Sequence, residues 1–146
     1  MDLIQQILKA LANIHPPHPL FVHFPIALTG AALFFIILAI WRKSDLFEKI
    51  AFANISLAAV STIVTAIVGI RDNLVYYNGG APNHTAKIVI AAILFVIVSA
   101  TAIARWRYPN LFQTRSTRAT YIVAYFVNFG LASLLGLLGG IIVYGI

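Results

Sequence analysis

The sequence predicts an all-α fold, an integral membrane four-helix up-down bundle with a short N-terminal amphipathic interfacial helix. Three observations carry that prediction. The first is composition: 61% of the 146 residues are hydrophobic and 10% are charged, whereas a soluble domain has about 45–50% apolar and about 25% charged residues. A chain this short cannot bury so much apolar surface in its own core, so the excess faces lipid. The second is the grouping of apolar residues into four runs, Pro19–Trp41, Ile50–Ile70, Thr85–Ala104 (interrupted only by Lys87) and Ala119–Ile146. Each is at least about 20 residues long, enough for a helix to cross the hydrocarbon core. The third is the shortness of the connections, which makes sequential helices antiparallel neighbours. Within one transmembrane domain over 1–146, spans are expected at about 19–41, 50–70, 85–106 and 120–146.

Residues 2–14, DLIQQILKALANI, place apolar side chains at 3, 4, 7, 8, 11 and 14 and polar ones at Gln5, Gln6, Lys9 and Asn13. That is helical spacing, too short to span and closed by Pro16 and Pro17, which reads as a helix on the membrane surface or, equally, as a leader helix packing on the bundle. The first apolar run lies too far along, and has no small-x-small site after it, to be a cleaved leader. Pro19 suits the first turn of its helix. Pro25 sits deeper and removes the bond to the carbonyl of Phe21, with a bend expected beside His23.

The second run carries Asn54, Ser56, Ser61, Thr62 and Thr65, residue types that bond their own backbone or a neighbouring helix. The runs contain no Asp or Glu, so no intramembrane acid is expected. YYNGGAPNH at 76–84 is a turn, with Asn83 placed to cap the third helix. Pro109, in RYPNLFQTRSTR, separates the third helix from a short basic segment. The last run holds Ala132, Gly136 and Gly140 four residues apart, a spacing that lets helices approach closely and is expected to act within the bundle, with a dimer interface as the alternative.

The formal charge of +6 is distributed by topology. Arg42, Lys43, Lys49, Arg105, Arg107, Arg115 and Arg118 fall on one side of an alternating chain, and only Lys9, Arg71 and Lys87 on the other. Positive charge stays in the cytoplasm, so both termini are expected outside. This pattern also accounts for the basic balance without nucleic acid. There is no cysteine, hence no disulfide, no thiolate metal site and no covalent attachment of a c-type haem.

The stretch HPPHPLFVHFPIAL at 15–28 concentrates three of the four histidines, and the fourth, His84, opens the third helix. All four then lie near one level at the outer face. Ionisable side chains inside spans are costly and usually face the bundle interior. His23 and His84, on two parallel helices, are therefore candidate axial ligands of a b-type haem between the first and third spans, or ligands of another metal. Arg71, with Lys87, could meet its propionates. His18 is a further candidate, but it lies about 140° around a helix from His23, so a metal site using His18, His23 and His84 requires a distorted entry turn. The plainer alternative for each histidine is an interfacial hydrogen bond. No nucleophile–base pair or phosphate loop appears, and no catalytic activity by the chain alone is expected.

HPLFVHFPIAL at 18–28 resembles the signature of a bacterial family of small predicted four-helix membrane proteins of unknown function. The likeness extends to GIRD at 69–72, to His84 and to GGIIVYG at 139–145. The resemblance implies His18, His23 and His84 as the matching histidines, and a place in the bacterial inner membrane. Some relatives look joined to Rieske-type iron–sulfur domains, which implies an electron-transfer role; here such a partner would be a separate subunit. The expected function is a small membrane redox subunit binding haem b, in contact with lipid and with other membrane or periplasmic redox subunits. The alternatives are a cofactor-free structural or assembly subunit and a single-histidine pigment- or metal-binding anchor.

Overall fold

The computed structural model describes residues 2–9 and 17–144. Among them the elements are α1 (Leu3–Lys9), α2 (His18–Arg42), α3 (Asp45–Tyr77), α4 (His84–Arg107) and α5 (Arg115–Tyr144). The last four are long and apolar enough to cross a membrane, and the family of folds is that expected. In α1 the apolar residues Leu3, Ile4, Ile7 and Leu8 are all exposed, which leaves that face free for lipid. Residues 10–14 of the expected surface helix, and His15, lie outside the described residues.

The four long helices form a ring. α2 packs against α3 and α5, and α4 closes the square against the same two, so α2 and α4 stand on a diagonal. One end of the ring, where α2 and α4 begin, carries the histidines; the other, with residues 42–49 and 105–118, carries most of the basic residues. These are called the histidine end and the basic end.

The core is built from Ala32, Ile36 and Ala39 of α2, Ala51, Ile55 and Ala58 of α3, Leu94 and Val98 of α4, and Tyr121, Tyr125 and Ala132 of α5. The three- and four-residue spacings place each set on one helix face, and the alanines let α2 and α3 lie close together. Burial is concentrated toward the basic end. Among the described residues, α4 has no buried residue before Leu94 and α5 none after Ala132. Gly136 lies against Ile26 of α2, where a Cβ would come within 2.8 Å of the Ile26 tip. The small-residue spacing of α5 thus serves contact within the bundle at that level.

α5 begins at Arg115, ahead of the expected 120, and two further features differ from expectation. α3 begins at Asp45 and ends at Tyr77, longer at both ends than the uncharged run 50–70, because charge limits what can sit in lipid and not what can be helical. Ser44 is extended, Asp45 and Glu48 occupy the first turn, and acidic groups there complement the helix dipole. At the other end Asn78 and Gly79 take left-handed conformations (φ 48° and 80°), and both amides return to the carbonyl of Asn73, as in a Schellman-type stop. The second correction concerns Asn83. It stands at the N-cap of α4 but with φ 55°, and its side chain makes no capping bond; an N-cap side chain reaches the first turn from extended backbone.

Candidate functional site at the histidine end

α2 starts at His18, which is half-buried against α3. Its main-chain N–H donates to Asp72 Oδ2 at 2.8 Å. Asp72 is 3% exposed, and its other oxygen accepts from Arg71 Nη1 at 3.0 Å. A carboxylate on the first free amide of a helix also meets the positive end of that helix dipole. Asp72, from the last turns of α3, therefore anchors the start of α2.

The His18 ring adds a second link. Nδ1–H donates to the main-chain carbonyl of Thr65 at 3.2 Å, and because a carbonyl only accepts, Nδ1 carries the proton. The ring rests on Gly69, where a Cβ would come within 2.7 Å of it. Thr65 supplies a third link: its hydroxyl stands 3.1 Å from the carbonyl of Phe21 and 2.8 Å from that of Ser61. The Phe21 carbonyl is the one that Pro25, lacking an N–H, leaves without its helical partner. α2 stays a continuous helix through Pro25.

The other predicted residues stand apart from this cluster. His23 is exposed on α2 together with Leu20, Phe24 and Ala27, and its Nδ1–H donates to the carbonyl of Pro19 at 2.6 Å. His84 is half-buried, and its Nδ1–H donates to the carbonyl of Ala81 at 3.0 Å. With α2 and α4 on a diagonal and His23 turned outward, the two imidazoles do not face each other across the bundle interior. Arg71 is spoken for by Asp72, although half of its side chain is exposed. Among the described residues no group of three or more His, Cys, Asp or Glu side chains gathers as a metal site.

The expected spans hold no Asp or Glu, but two acids of α3 that flank its uncharged part, Asp72 and Glu48, are buried among the helices. Both lie just outside the uncharged run, and the greater length of α3 carries them into the bundle. Glu48, fully buried, accepts from Arg105 through Nε–H at 2.6 Å and Nη2–H at 2.8 Å. Tyr121 donates to Glu48 Oε1 at 2.9 Å and lies 2.7 Å from the hydroxyl of Tyr125. Deeper in, Asn128 Nδ2–H donates to Thr101 Oγ1 at 3.2 Å. This buried network ties α3, α4 and α5 together near the basic end. The sequence reading counted Arg105 among the basic residues of one side and did not single out Glu48; the legible signal was Tyr121, Tyr125 and Asn128 at i, i+4, i+7 in an apolar run.

In comparison with known proteins, the model of the family DUF2231, described as "Predicted membrane protein", matches residues 14–146. No curated protein and no solved structure matches.

Proposed function

This chain belongs to the DUF2231 family of predicted membrane proteins, and from that premise we propose that it is a small multi-pass subunit of a bacterial inner-membrane redox assembly. In this reading the histidine end and both termini face outward, and His23, on the exposed side of α2, would hold a b-type haem shared with a partner subunit or a second copy.

The observation that carries the reading is the state of the His23 ring. An imidazole whose Nδ1–H is bound to a backbone carbonyl has a defined tautomer and orientation, and its Nε2 lone pair is available; metal-ligating histidines are usually held in this way. The Pro19 carbonyl does this for His23. The ring is exposed in a region where an unligated polar group gains nothing from lipid. Ala27, one turn further along the same exposed face, leaves room beside it, and Leu20 and Phe24 give apolar flanks. His84 and Arg71 lie at the same end and can serve the assembly as hydrogen-bonding groups. The group, when bound, supplies one-electron transfer.

The test is the visible spectrum of protein purified in detergent from haem-replete cells, oxidised and dithionite-reduced. A Soret band with sharp reduced α-bands is expected, lost in His23→Ala and kept in His84→Ala. Loss in both variants would return the ligands to a paired interior site. A colourless wild type that remains folded would overturn the redox reading and leave a cofactor-free structural or assembly subunit.

A further inference from the structure

Asn128 lies on α5 with no exposed surface, and the orientation of its amide is set by its neighbour. The hydroxyl of Thr101 gives its proton to the carbonyl of Ile97 at 2.7 Å, so toward Asn128 it can only accept. Nδ2 must therefore face Thr101, and Oδ1 must face away from it. Oδ1 is buried without a hydrogen-bond partner. A buried carbonyl oxygen with no donor is destabilising, and lipid has no donor to lend.

A second acceptor stands one turn away on the same buried face. Tyr121 has one hydroxyl proton, which goes to Glu48; the bond between the two tyrosines must then be donated by Tyr125. With its proton spent, the Tyr125 oxygen accepts from no described residue. Two fully buried side chains at i and i+3 thus each present an oxygen with an open acceptor site, and that of Asn128 has no partner at all. A metal cation would require several more oxygen ligands than this pair offers, and the guanidinium of Arg105 already occupies the upper part of the column.

We infer that a resident water molecule sits between Asn128 Oδ1 and the Tyr125 hydroxyl oxygen and donates to both. Buried waters typically satisfy such otherwise orphaned groups. With it, Glu48, Arg105, Tyr121, Tyr125, Asn128 and Thr101 form one continuous hydrogen-bonded column from the basic end into the middle of the bundle, and the water belongs to the register of α5 against α4.

Solid-state NMR of the protein in lipid bilayers, labelled with ¹⁵N-asparagine, tests this through magnetisation transfer from water to the Asn128 side-chain amide. The Asn128 signal is assigned by its loss in Asn128→Leu. A cross-peak at the water frequency is expected in the wild type, with its intensity more than halved in Tyr125→Phe, which keeps the ring and the Tyr121–Glu48 bond. It should persist in Thr101→Val, which removes only the acceptor of the amide. A wild-type Asn128 amide with no water transfer, alongside exposed Asn78 that shows it, would overturn the proposal. So would full wild-type intensity in Tyr125→Phe.

Discussion

Pro25 and Thr65 are the clearest case at the scale of single residues. Pro25 frees the Phe21 carbonyl inside a membrane span, and the Thr65 hydroxyl from α3 stands 3.1 Å away to take it. The lost helical bond is legible in the sequence from the proline alone. Its replacement is not, because Phe21 and Thr65 are 44 positions apart and the pairing exists only once α2 and α3 have packed. Hydrogen bonds between membrane helices are worth about 0.6 kcal/mol on average, up to about 1.7, and an orphaned carbonyl costs more. Thr65→Val should therefore lose about 1–2 kcal/mol in reversible unfolding from mixed micelles. Adding Pro25→Ala should restore most of it, because residue 25 then has an N–H for Phe21. Additive losses in the double variant would show that the hydroxyl does not serve that carbonyl. His18 follows the same logic: the sequence placed it among the candidates, but only packing turned its amide and ring toward Asp72 and Thr65.

At the scale of elements, the apolar runs located all four spans, and the small residues of α5 announced a close approach. What the runs could not show was how far α3 continues as a helix beyond its uncharged part, and with it the burial of Glu48 and Asp72. The glycines separate packing from propensity. At Gly69 a Cβ would press within 2.7 Å of the His18 ring, whereas at Gly130 it would meet nothing within 4 Å. Gly69→Ala should cost about 1–3 kcal/mol by forcing the ring off α3. Gly130→Ala should gain up to about 1 kcal/mol, since alanine is the better helix former at an exposed site. Parallel unfolding curves of the two variants check this. Equal effects would mean that the α2–α3 contact at His18 does not set the stability of the histidine end. The Glu48–Arg105 pair is a second packing device of the same kind. Removing one partner of such a buried pair typically costs about 3–5 kcal/mol, which makes the junction of α3, α4 and α5 intolerant of single changes there.

For the whole molecule, the strongest statement is electrostatic. Cations gather at the basic end, and a multi-pass protein retains such loops in the cytoplasm. Because the chain has no cysteine, single cysteines report topology without background. Gly80→Cys, in the α3–α4 turn, should react with a membrane-impermeant maleimide on intact spheroplasts. Gln113→Cys, in the α4–α5 connection, should react only after permeabilisation. The reverse pattern would place the histidine end inside and remove the outward-facing site.

By itself the sequence determined that the chain forms four helices long and apolar enough to cross a membrane, and which end is basic. These are properties of local composition and period, and they need no knowledge of what packs on what. Only the tertiary structure decided which polar groups meet. It put α2 and α4 on a diagonal, turned His23 outward and His18 inward, made Asp72 the anchor of α2, and joined Glu48 to Arg105 across 57 residues. The reason is physical: in lipid the hydrophobic drive between helices is absent, so the arrangement rests on close packing and on hydrogen bonds between residues distant in the chain, which no local pattern records.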